Sequence, residues 1–101
     1  MSTGPHRPRF TWDETKRSRN LAKHGVDFSA IDAFDWHEAV LRPDRRFDYG
    51  EERWVAVGPI RDRLHVVVYV VRQDGHRLVS LRRANSREGR FHAAAIDRTN
   101  A

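Results

Sequence analysis

The first ordered pattern of apolar and polar positions along the chain is "TWDETKRSRNLAKHG", residues 11–25, whose spacing predicts a helix. Thr11 and Glu14 stand at capping-box spacing at its start, and Gly25 supplies the residue type that ends helices. The segment is mostly polar. Trp12, Lys16, Arg19, Asn20 and Lys23 share one side, and Ser18, Leu21 and Ala22 form only a thin apolar side. "VDFSAIDAFDW" then predicts a second helix, with Asp27 as its cap, Val26 and Ile31 as a hydrophobic staple, and Phe28, Ile31 and Phe34 toward the core.

Beyond this point the period shortens to two. Residues 39–41 read as a short strand, 42–52 as a charged turn region punctuated by Pro43 and Gly50, and "RWVAVG", 53–58, as a second strand. "LHVVVYVVR", 64–72, is apolar on both faces, as a central strand requires. Asp74 and Gly75 mark a tight hairpin into a fourth strand, "HRLVSLRRA". Strict alternation there sends Leu78, Ser80 and Arg82 one way and Arg77, Val79, Leu81 and Arg83 the other. Asn85 and Glu88 cap a closing helix whose apolar side is Phe91, Ala94 and Ala95. Gly89 weakens that helix by about 1 kcal/mol relative to alanine. The expectation is an α+β domain over residues 10–96, a small antiparallel sheet flanked by two N-terminal helices and a C-terminal helix, with 1–9 and 97–101 as tails.

Charge changes this picture more than size does. Lys and Arg number 19 against 14 Asp and Glu in a chain of 101 residues, a net charge of +5, and most of the positive charge is arginine. Guanidinium forks suit phosphate oxygens, so nucleic acid is a plausible class of partner. Cysteine is absent, which excludes disulfides, thiolate metal sites and cysteine nucleophiles. The longest apolar run, residues 64–71, is too short to cross a bilayer, and Gly4, Pro5 and Pro8 lie in an N-terminus without a signal-peptide core. A soluble cytoplasmic protein with no membrane contact is expected.

Three basic clusters stand out: the first helix, "RPDRR" at 42–46 and "LRRANSR" at 81–87. Meeting along one edge or face of a small sheet, they would form a groove for a phosphate backbone; apart, Arg45, Arg46 and Arg61 would merely solvate loops. Trp12, Phe47, Tyr49 and Trp54 could stack on bases if exposed, although Trp54 alternates with other strand residues as a core side chain does. None of the six histidines has the spacing of a helical zinc site, so neither metal nor cofactor is expected. His24 ends a helix beside Lys23, where it can move protons near neutral pH; His65 reads as structural and His76 as solvated. Glu51 and Arg53 share one strand face, Glu52 and Trp54 the other. Glycine-rich phosphate loops and G-x-S-x-G nucleophile motifs are absent from the sequence.

"FTWDETKRSRNLAKHGVDF", "DRRFDYGEERWVAVG" and "LVSLRRANSRE" resemble, in order and spacing, the BrnT toxins of bacterial type II toxin-antitoxin systems. The resemblance implies a RelE-like fold, an endoribonuclease that arrests growth, and a BrnA-type antitoxin through which operator DNA is contacted. The chain departs from the family pattern at Leu81, within Ser80-Leu81-Arg82, at Gly89, and at His92, where the family commonly has tyrosine. The chemistry expected is metal-independent attack of the RNA 2′-hydroxyl on the adjacent phosphate. His24 or Glu52 would transfer protons; Lys16, Arg53 and Arg82 would stabilise charge; Lys23, Arg46 and Arg83 would position the RNA. His92 could also move a proton. Rival readings are a nucleic-acid-binding module without catalysis and an inactive interaction protein.

Overall fold

The computed structural model describes residues 9–45 and 50–100, with the side chains of residues 99 and 100 excluded. The expected N-terminal tail therefore falls almost wholly outside the described residues, as do Arg46, Phe47 and Tyr49. A five-stranded sheet is formed by β1 (Phe10–Thr11), β2 (Val40–Pro43), β3 (Glu52–Ile60), β4 (Arg63–Arg72) and β5 (Gly75–Arg83), in the order β1-β5-β4-β3-β2. β1 runs parallel to β5 and all other neighbours are antiparallel. The valine-rich β4 is central, as its two apolar faces require. Two α-helices, α1 (Glu14–His24) and α2 (Ser86–Asn100), complete a mixed α+β domain. α2 continues past residue 96.

Several local expectations are corrected. Thr11 does not cap α1; it pairs with Arg77 as part of β1, a strand too short to leave a periodic signal. Asp13 is the cap, accepting the backbone N–H groups of Thr15 at 2.7 Å and Lys16 at 3.4 Å. Gly25 ends the helix at φ 70°, the left-handed conformation glycine adopts without a Cβ clash. The thin apolar side of α1 is not its docking side: Leu21 is 45 % exposed, whereas Asn20 is 7 % exposed. The second helix is two short 3-10 turns, Phe28–Ala33 capped by Asp27 and Trp36–Glu38 capped by Asp35. Each aspartate draws its own backbone out of a continuous α-helix.

One sheet face packs on these turns. Val26, Phe28, Ile31 and Phe34 meet Ala56, Val67, Tyr69, Leu78 and Leu81, with Phe10, Trp12, Trp36 and Trp54 at the margin. Phe28, Ile31 and Phe34 thus take the core positions assigned to them, and Trp54 packs against the core. His76 is not solvated: its ring lies 5.1 Å from that of Tyr69 and 5.6 Å from that of Phe10. His65 is buried, with Nδ1 3.0 Å from the Arg63 carbonyl oxygen. Leu78 and Leu81 both point into this core, which strict alternation forbids. A β-bulge explains it. Tyr69 pairs with Leu78 but Val68 pairs with Ser80, so Val79 is the extra residue.

The bulge also returns Ser80 and Arg82 to the opposite face, beside Val55, Val57, Val66 and Val68. α2 lies over part of that face. Its start is a reciprocal capping box: Glu88 N–H donates to Asn85 Oδ1 and Asn85 N–H donates to Glu88 Oε1, each at 2.8 Å. Phe91 is 42 % exposed instead of buried. Among the described residues, no helix is long and apolar enough to cross a membrane.

Candidate nucleic-acid interface

The buried amide of Asn20 determines where the basic side of α1 sits. Its Nδ2 donates to the carbonyl oxygens of Leu81 at 2.7 Å and Val26 at 2.9 Å, and its Oδ1 accepts from the Leu81 N–H at 3.2 Å. The side chain therefore pairs with β5 as a neighbouring strand would. Lys16, Arg19, Lys23 and His24 surround Asn20 on the helix and, with Val79 and Ser80, line a recess of about 330 Å³. Among these described residues there is no carboxylate, so the recess favours an anion.

On the valine face a larger cleft of about 530 Å³ opens between the sheet and α2. Arg42, Arg53 and Arg82 reach it from three strands, and Arg87 from α2. Val79 and Ser80 line both cavities, so the two basic surfaces adjoin at the bulge. All three basic sequence clusters thus contribute: the helix, residues 42–46 through Arg42, and residues 81–87 through Arg82 and Arg87.

Two interactions organise the junction. Glu88 grips Arg82 through two bonds, Nη2 to Oε2 at 2.7 Å and Nη1 to Oε1 at 2.9 Å, so the cap of α2 also fixes a cleft arginine. The Arg82 guanidinium, followed by the Asn85 backbone N–H, holds the Glu88 carboxyl below the ordinary carboxylate range. His24 is half-buried, and burial, then the charges of Lys23 and Arg82, push its pKa below the ordinary histidine value. It is accordingly more often neutral at pH 7, the form that can accept a proton.

Not every residue singled out in the sequence converges here. Lys16, Lys23 and His24 share the recess, and Arg53 and Arg82 share the cleft. Glu52 lies on the face of β3 opposite Arg53, beside Trp54, whose indole N–H donates to its carboxylate at 2.8 Å. Arg83 lines a third recess, with Arg63 and Gly89. His92 touches neither basic cavity; its Nε2 lies 2.6 Å from the Glu38 carbonyl oxygen. Residues not singled out as site groups, Arg42, Val79, Arg87 and Phe91, line the cleft. The basic run at 42–46 was the signal for Arg42, and the unusual exposure of Phe91 needed the tertiary structure.

No curated protein matches the chain. Residues 12–88, which carry α1, the sheet from β2 onward, the bulge and the Arg82–Glu88 pair, match the family model described as the ribonuclease toxin BrnT of type II toxin-antitoxin systems, and the chain belongs to that family.

Proposed function

We propose that this toxin is a metal-independent endoribonuclease of RelE-like fold whose centre lies where the α1 recess and the arginine cleft adjoin at Val79 and Ser80. What supports this is the junction: in the α1 recess, whose described lining residues include no carboxylate, an imidazole of lowered proton affinity stands among Lys16, Arg19 and Lys23, next to the arginine cleft. His24 takes the proton from the ribose 2′-hydroxyl. The 2′ oxygen forms a bond to phosphorus, the bond from phosphorus to the 5′ oxygen breaks, and that oxygen takes up a proton from solvent or a protonated side chain. The products are a 2′,3′-cyclic phosphate and a free 5′-hydroxyl. Lys16, Arg53 and Arg82 stabilise the charge on the phosphorane oxygens, while Lys23, Arg46 and Arg83 hold flanking phosphates. Of the two proton-transfer candidates, His24 is better placed than Glu52, which faces away from the cleft.

The type II system supplies an antitoxin protein. A BrnA-type antitoxin, itself contacting operator DNA, would cover the basic junction and so exclude RNA. The test is incubation of antitoxin-free protein with end-labelled RNA in EDTA. Wild type is expected to release fragments ending in 2′,3′-cyclic phosphate, with the rate reduced about 100-fold in Arg82→Ala and at least as much in His24→Ala. Cleavage at the wild-type rate by a folded Arg82→Ala variant would place the centre elsewhere. Salt-sensitive RNA binding with the strand left intact would favour a binding module without catalysis.

A further inference from the structure

The cleft holds more apolar surface than a phosphate site uses. Its floor is the valine face of β3 and β4 together with the bulge residue Val79 of β5, and because Val55, Val57 and Val66 are at most 3 % exposed, the accessible part belongs to half-buried Val68 and Val79. Phe91 of α2 stands on the wall with 42 % of its surface exposed. Around this surface are the guanidinium groups of Arg42, Arg53, Arg82 and Arg87, with Glu88 as the single carboxylate among the described lining residues. Glu88 is already committed to Arg82. An occupant that presents an apolar face close to negative charge would match both the floor and the arginine-rich rim.

We propose that the cleft is a nucleobase pocket, in which one base of the RNA lies on the Val68–Val79 floor against Phe91 while the adjoining phosphates are held by the rim arginines. This rests on the ribonuclease reading above and adds to it a site that reads the base beside the cleaved bond. A nucleotide satisfies both demands at once: the base has a π-face for Phe91 and its backbone carries the charge. A cavity of about 530 Å³ is large enough for one such group. At the rim, Asn85, whose Oδ1 accepts the Glu88 N–H, retains its amide Nδ2 as a donor to a base edge. An apolar peptide segment would fill the floor but bring no anion to the arginine-rich rim, so nucleic acid is the better fit.

The experiment compares binding of a short 2′-deoxy oligonucleotide with that of the same strand carrying one abasic position. Methyl resonances of Val68 and Val79 and ring resonances of Phe91 are followed by NMR. Because deoxy strands lack the attacking hydroxyl, binding is read without cleavage. The intact strand is expected to bind about ten-fold more tightly and to shift the cleft resonances; this difference should collapse in Phe91→Ala and return in Phe91→Trp. Equal affinity for the two strands would overturn the pocket, as would a base preference that survives Phe91→Ala. Cleft resonances that move with an antitoxin peptide but not with either strand would assign the floor to protein instead and overturn it too. Failure of the parent reading looks different: base-dependent binding with ribo-strands left intact removes the catalysis but keeps the pocket.

Discussion

Asn20 replaces a strand with a side chain. Its amide satisfies both backbone groups of Leu81 and the carbonyl of Val26, all in a buried setting. Asn20→Ala would leave three backbone groups without those bonds, and a loss of about 2–4 kcal/mol is expected in urea unfolding. An asparagine amid lysines and arginines reads as solvated, and its burial is set by β5, which lies far along the chain; sequence periodicity carries no trace of it. His24 was legible as a helix-terminal histidine, but its surroundings were not. With His24 as the base, the acid limb of kcat/KM should fall at a midpoint below the ordinary histidine value of 6.5. A limb at or above 6.5 would point to another base. Asp27 offers a separate pH test. It binds Arg17 through two bonds at 2.9 Å and caps a 3-10 turn at Ser29, and Arg17 chiefly lowers its pKa from 3.8 to about 2. A depressed folded pKa means that the unfolded chain binds the proton more readily. This stabilisation is present above pH 4 and is lost as the pH falls toward 2. Asp27→Asn should flatten the pH dependence of urea unfolding in that window.

The strands and helices were legible where their period is long and regular. β3, β4, β5 and α2 fall where the alternation and capping signals place them, because turn chemistry and apolar spacing act locally. Two devices escaped. β1 has only two residues, and the bulge at Val79 leaves no mark beyond one extra valine, yet it moves Ser80 and Arg82 to the face that bears the cleft. Glycines in the elements separate freedom from necessity. At Gly58 a Cβ would come within 2.8 Å of the Phe34 ring and 3.2 Å of Ala39, so Gly58→Ala should cost about 1–3 kcal/mol by overpacking. At Gly89, inside α2, the closest obstacle is Leu64 at 3.9 Å, an ordinary contact. Gly89→Ala should therefore stabilise the protein, by up to about 1 kcal/mol, as a rise in thermal midpoint.

At the level of the molecule, the recess on α1 and the rim of the cleft hold side chains from all three basic clusters. Sequence clustering made that convergence foreseeable, but not which face it would occupy. If the two surfaces together neutralise about four phosphates, the logarithm of RNA affinity should fall against that of salt concentration with a slope of about −3. A slope near zero in a binding assay would remove the electrostatic groove from the account.

The partnership of Asn20 with Leu81 joins positions 61 residues apart, one near each end of the chain. Synthesis proceeds from the N-terminus, so the ribosome extrudes the lysine-bearing helix long before the strand that must receive it. Until β5 has emerged, the helix has no edge to lie against and the basic junction does not exist. With the junction as the proposed catalytic centre, a fragment ending at the β4–β5 turn is expected to leave labelled RNA intact where the full chain cleaves it.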